Sequence, residues 1–269
     1  MKLRTSVFLL AALLPPAVLA QPNNFELHVS GKPIGKAVYS FTTTKGGLKL
    51  ASRYTYHTAS PDGLRIEGDY ADEFKFDSSY QYVEGTINDK NRQKSSSLLP
   101  NKTHTEMSVT SFAEGAEPTS FMPIPNNLIL LPNFDPGAAQ AVLLLATTHP
   151  TADSKYGILI PATASGGGGG GRGRGNASAS ADALTEGPEA LPRGDRTYEA
   201  IWLKGTPFTG TLDGKAINVN SYMLAFGKFR WIFFADEANN LLQLNVSLLH
   251  ASYIRANFAL DPPKTAMPR

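Results

Sequence analysis

From Phe25 onward, apolar and polar positions alternate with a period of two. Leu48, Leu50, Tyr54 and Tyr56 interleave with Lys49, Arg53, Thr55 and His57. Leu64, Ile66, Tyr70, Phe74 and Phe76 interleave with Arg65, Glu67, Asp69, Glu73 and Lys75. This is the pattern of antiparallel strands with one face on a core and the other in water. Turn-forming residues punctuate it at Gly31 to Gly35, at Lys45-Gly46-Gly47 and at Ser60-Pro61-Asp62-Gly63. The second half repeats the habit over residues 198–203, 216–226, 231–234, 241–246 and 252–260, with turns at Asp213-Gly214 and Asn239-Asn240. Roughly ten to twelve strands are expected, enough for one large sheet curled on itself.

One segment departs from the period. Residues 136–147 are apolar nearly all round apart from Gln140. Asp135 suits an N-cap and Pro136 the first helical position. Such a helix must be covered on most sides. The expected fold is therefore mainly β (α+β): a large curved antiparallel sheet, a half-barrel or open barrel, around a central apolar helix. Residues 126–131 read as either a short helix or a buried strand.

Residues 162–194 are rich in Gly, Ala and Ser, including six consecutive glycines. They offer almost nothing to bury, so a disordered insertion is expected there. It divides one β domain into a first part, 21–161, and C-terminal strands, 195–261, followed by a tail, 262–269. Ahead of the domain, Lys2 and Arg4 precede the unbroken apolar run Val7 to Leu14, then Pro15-Pro16 and Val18-Leu19-Ala20. This reads as a signal peptide, residues 1–20, cleaved after Ala20. The run is too short to span about 30 Å of hydrocarbon, and the prolines would break it. An exported protein in the periplasm or outside the cell is expected, with no transmembrane segment once the signal is removed.

Composition narrows the chemistry. The chain has 269 residues, 42% hydrophobic, with no cysteine. That excludes disulfides, thiolate metal sites and cysteine nucleophiles. Without Lys2 and Arg4, the 25 basic residues fall to 23 and match the 23 acidic ones. A chain of zero net charge is not built for nucleic acid. None of the five histidines forms a close ligand pair, so no metal or cofactor is expected. His28 and His57 fall on polar strand phases and read as solvated, and His149 is placed to cap the helix C-terminus. No nucleophile elbow or Ser–Lys motif occurs, and the glycine run matches nucleotide-binding patterns only because six glycines match almost any.

Asp72 is the exception that invites a function. It falls on the apolar phase with Tyr70 and Phe74. A buried carboxylate there would serve a ligand or acid–base role in a cavity. Alternatively, a β-bulge near Ala71 returns it to water, or a basic side chain pairs with it. The aromatics Tyr39, Phe41, Tyr54, Tyr56, Tyr70, Phe74, Trp202, Trp231, Phe233 and Phe258 are expected to face inward, as a core or as the lining of an apolar cleft. The candidate ligand-binding set is Tyr54, Tyr56, Tyr70, Asp72, Phe74, Trp202 and Trp231.

The stretch from Phe25 to Tyr39 contains a G-x-P-I-G turn, Gly31-Lys32-Pro33-Ile34-Gly35, between two strands, and a D-P helix follows near the middle of the chain. In this it resembles a broad group of exported bacterial proteins of unknown function. These are similar in turn to the LolA/LolB-like half-barrel carriers, whose curved sheet holds a helix in its concavity. The resemblance implies an architecture and an envelope location. The expected function is a non-catalytic envelope protein that binds a lipid, another apolar ligand or a protein partner. The alternative is a hydrolase whose site no motif reveals. A third reading, an outer-membrane barrel, is opposed by Lys49, Arg53, Arg65, Glu67, Asp69 and Lys75 on the faces lipid would touch.

Overall fold

The computed structural model describes residues 23–59, 65–91, 93–112, 119–130, 135–160, 196–247 and 250–262. The expected signal peptide, the expected Ser60 to Gly63 turn, the expected disordered insertion at 162–194 and most of the expected tail lie outside the described residues. Seventeen strands form one hydrogen-bonded system with a single helix among the described residues.

The first strand, β1 (Asn23–Val29), lies in the middle of the sheet, between β2 (Lys32–Thr44) and β16 (Ala251–Arg255). From β2 an antiparallel meander runs through β3 (Gly47–Ala59), β4 (Arg65–Asp77), β5 (Tyr82–Asp89), β6 (Lys94–Pro100) and β7 (Glu106–Phe112) to β8 (Thr119–Pro123). On the other side, β16 is followed by β15 (Leu241–Val246), β14 (Phe229–Ala235), β13 (Lys215–Phe226), β11 (Arg196–Lys204) and β10 (Lys155–Ile160). The last neighbour is β9 (Leu128–Leu130), which pairs parallel to β10.

The two ends of this ribbon are consecutive in the chain. Only residues 124–127 separate β8 from β9, and five residue steps reach at most about 18 Å. The sheet must therefore curl until its ends approach one another, which makes it barrel-like. Gly157 on β10 lies at this junction, its N–H donating to Asn126 O at 3.1 Å. A Cβ there would sit 2.1 Å from Pro125 Cβ, so the close approach of the 124–127 link requires glycine.

Two strands leave the main ribbon. β12 (Phe208–Leu212) pairs with the first half of β13 and with β17 (Phe258–Leu260). A second, small core of Val219, Phe234, Leu242 and Phe258 forms there. Phe233 belongs to the main core and its neighbour Phe234 to the small one, so β14 is buried on both faces. Phe258 consequently faces this satellite core rather than the interior expected from the sequence.

The helix, α1 (Pro136–Thr148), packs on β2, β3, β9 and β15. The Asp135 carboxylate accepts from Gly137 N at 2.7 Å, and Pro136 occupies the first turn. At the other end the backbone N–H of His149 caps Leu145 O at 2.9 Å. Every residue from Pro136 to Ala146 is buried except Leu144. Leu144 is half-buried, so the helix is covered on most of its sides.

The strand count exceeds the expected ten to twelve in part because the inner faces of β5 and β6 carry Gly85, Asp89 and Ser96 where apolar residues were sought. In β6, for example, buried Ser96 and Leu98 share the inner face. Residues 128–130 resolve as a strand rather than a helix. Residues 252–260 divide into β16 and β17 around Asn257, whose φ is 62°. The Gly31 to Gly35 turn is confined to Ser30-Gly31, both at positive φ, as a two-residue hairpin demands. Lys32 to Gly35 belong to β2, where a register shift between Leu27 and His28 absorbs the irregularity.

Candidate functional site

The inner faces of β3 and β4 bring five of the seven candidate residues together. Tyr54 lies opposite Tyr70, and their rings stack at 4.9 Å. Tyr56 stacks on Tyr70 at 6.2 Å, and Phe74 lies on the same face. All four rings are at most 4% exposed and belong to the main core.

Asp72 points into this layer and is 1% exposed. The β3–β4 register runs unbroken from Gly47↔Asp77 to Ala59↔Arg65. The register shift between β4 and β5 falls at Lys75/Phe76, beyond Asp72. No bulge near Ala71 returns the carboxylate to water, and among the described residues no basic side chain pairs with it. Both expectations that would have made Asp72 unremarkable are overturned. Its Oδ2 accepts from Tyr54 OH at 3.3 Å, and the backbone N–H of Asn88 also donates to it. Oδ1 has no hydrogen-bond partner among the described residues. Burial first, then the nearby Asp135, push its carboxyl well above the usual carboxylate range.

Asp135 is the second member of the site, and it is more than a helix cap. Its Oδ1 accepts from Ser52 Oγ at 2.5 Å as well as from Gly137 N. Ser52 lies directly opposite Asp72 across β3 and β4. Oδ2 of Asp135 has no partner among the described residues. Burial raises its carboxyl to about 6, against the pull of the donors Ser52, Gly137 and Ala138. Asp89 on β5 is also buried and adds to the charge felt by Asp72. Tyr253 on β16 is fully buried, with its hydroxyl unpartnered among the described residues and in the field of Asp135.

Gln140 fastens the middle of α1. Its Oε1 accepts from Tyr39 OH at 3.0 Å and from Leu241 N at 2.6 Å, and its Nε2 donates to Asn239 O at 2.8 Å. One polar side chain thus joins the helix to β2 and to the start of β15.

The two tryptophans stand apart from the β3–β4 group. Trp202 on β11 stacks on Tyr222 at 5.3 Å and tilts against Phe233 at 5.2 Å. Trp231 on β14 tilts against Phe226 at 6.4 Å, and its Nε1 is buried without a partner among the described residues. Of the histidines read as solvated, His57 is exposed and pairs with Glu67 at 3.0 Å, whereas His28 is half-buried and meets Glu26 at 3.3 Å.

Surface clefts among the described residues lie elsewhere. One, about 600 Å³, involves Glu26, Lys36, Val38 and Arg53 on β1 to β3. A second, about 450 Å³, lies at the junction around Pro125, Asn126 and Gly157. A third, about 280 Å³, runs over Lys49, Lys75 and Glu84. None of the seven candidate residues lines these three clefts. Sequence reasoning missed Ser52, Asp89, Gln140 and Tyr253. Ser52 carried a signal, since it shares the apolar phase of Leu50 and Tyr54. Asp135 was found only as a cap, because its contact with Ser52 spans 83 residues.

No family model matches the chain, and no curated protein matches its sequence. Among solved structures the chain is similar to a beta-barrel-like protein of domain of unknown function DUF1849 from Brucella abortus. The TM-score is 0.50 at 10% identity, covering 90% of this chain and 97% of that one. The shared feature is the barrel-like fold.

Proposed function

We propose that this chain is an exported, non-catalytic envelope protein that acts by binding a protein partner along the free edge of its sheet. Export rests on the signal-like residues 1–20. The observation that carries the binding mode is the distribution of apolar surface. The inward aromatics are packed against each other and against a helix fastened by Asp135 and Gln140, whereas large apolar side chains are exposed on the outside. Leu99, Ser108 and Phe121 form one cross-strand row over β6, β7 and β8. Leu99 is 50% and Phe121 65% exposed. Among the described residues β8 pairs only with β7, so its other edge offers backbone donors and acceptors to an added strand. An extended segment with apolar residues at alternate positions fits such an edge.

A photo-cross-linker at position 121 of the exported protein tests this in intact cells. A discrete adduct is expected there, absent with the cross-linker at Lys49 and lost in Leu99→Asp. No adduct at 121, together with saturable uptake of a fluorescent fatty acid, would favour the alternative of an apolar ligand held inside.

A further inference from the structure

Two buried carboxyl groups lie on either side of Ser52 where the N-terminus of α1 packs on β3, and among the described residues no basic side chain pairs with either. Asp72 and Asp135 are each 1% exposed. The groups around them are Tyr39 from β2, Ser52 and Tyr54 from β3, Tyr70 from β4, Asp89 from β5 and Tyr253 from β16. Asp236, before β15, and Arg255 on β16 are felt at Tyr39. Arg255 is the one cation among these neighbours, and it forms no ion pair with either aspartate. Two full negative charges in such a place, without a counter-charge, are prohibitively expensive. One oxygen of each carboxyl also lacks a hydrogen-bond partner among the described residues, which a protonated acid group relieves by becoming a donor.

The neutralising species must be small. Tyr54 and Tyr70 stack beside the pair, and a Cβ on Gly137 would lie 2.7 Å from Leu50 Cδ1 and 2.9 Å from Tyr39 Cβ. Among the described residues no group of three acidic or histidine side chains gathers as a metal site would require. We propose that Asp72 and Asp135 carry one negative charge between them, holding a single proton in a buried site that ties the N-terminus of α1 to β3 and β4. The proton is taken from water as the helix docks and returns to water when it leaves.

The sign of the effect follows. Asp135 rises from 3.8 to about 6 on folding, and Asp72 also rises. The folded state therefore binds more protons than the unfolded chain, and this contribution to stability is lost as pH rises through about 6. Asp135→Asn keeps a good N-cap, and Asp72→Asn keeps an acceptor for Tyr54. The test is a carbon-13 titration of the aspartate carboxyls in the mature protein, in wild type and in both variants. In Asp135→Asn the titration of Asp72 is expected to move to lower pH, because the neighbouring charge is gone, whereas Asp135 in Asp72→Asn, beside an amide that mimics the protonated partner, is expected to keep its raised titration. Thermal melts are expected to show a drop between about pH 4 and 6, the interval from the ordinary to the raised value of Asp135, that shrinks in Asp135→Asn. If one variant fails to fold, the reciprocal one still reports. Two carboxyls titrating in the ordinary range, an Asp72 titration unmoved in Asp135→Asn, or an Asp135 titration that falls to the ordinary range in Asp72→Asn would overturn the proposal. So would a melting temperature raised by sodium or calcium at constant ionic strength, which would put a metal ion in the proton's place.

Discussion

Gln140 does for the helix what no apolar residue at that position could. Two buried partners, Tyr39 OH and Leu241 N–H, and the half-buried Asn239 carbonyl depend on it. Gln140→Leu would preserve volume while leaving Tyr39 OH, Leu241 N–H and Asn239 C=O without it. Each unsatisfied buried group costs about 1–3 kcal/mol. A loss of roughly 3 kcal/mol is expected in urea denaturation, with the slope unchanged. A loss below about 0.5 kcal/mol would show that water replaces the side chain without penalty. Gly157 is the counterpart at the junction of the sheet's ends. Gly157→Ala forces Pro125 to move, and a comparable loss is expected from overpacking, read by the same denaturation curve. Neither role was legible in the sequence, because both depend on partners that the fold alone brings close. Gln140 was visible only as a polar interruption in an apolar helix.

The helix as an element was legible, and for physical reasons. An acceptor at Asp135, Pro136 at the first position and a run without alternation leave few other readings. Its exposed stripe was not, because an almost uniformly apolar helix carries no moment to say which side faces away. The structure places that stripe at Leu144, Thr147 and Thr148. Leu143→Ala is accordingly expected to lose about 2–5 kcal/mol, and Leu144→Ala at most about 1 kcal/mol, in parallel denaturation curves. Equal losses would place Leu144 in the core after all. The strands divide along the same line. β3 and β4 alternate aromatic and charged residues and declare themselves, whereas β5 and β6 turn Gly85, Asp89 and Ser96 inward and so blur the alternation. The five clustered candidates, Tyr54, Tyr56, Tyr70, Asp72 and Phe74, came from the legible pair. Strand phase predicted that they share a face but not what they pack against.

At the scale of the whole molecule, polarity is distributed to seal the inside and leave chemistry outside. The outer faces of β3 to β5 carry ion pairs such as Lys49–Glu73 at 2.7 Å and Lys75–Glu84. Such a wall suits water rather than lipid. Apolar side chains resume on the outer face at β6 and β8, beside the edge of β8 that is unpaired among the described residues. The proposed export belongs to this scale too. N-terminal sequencing of protein recovered from the envelope is expected to begin at Gln21, and retention of Met1 would contradict cleavage.

The central claim is that α1 is a fixed plug in the barrel and not a lid over a ligand cavity. Amide hydrogen exchange in the mature protein tests it most directly, since it reads the opening of the helix separately from that of the sheet. The account predicts that the amides of Gln140 to Ala146 exchange as slowly as those of β3 and β14, with or without added fatty acid. Helix amides exchanging well ahead of the sheet, and slowing when fatty acid is added, would contradict it.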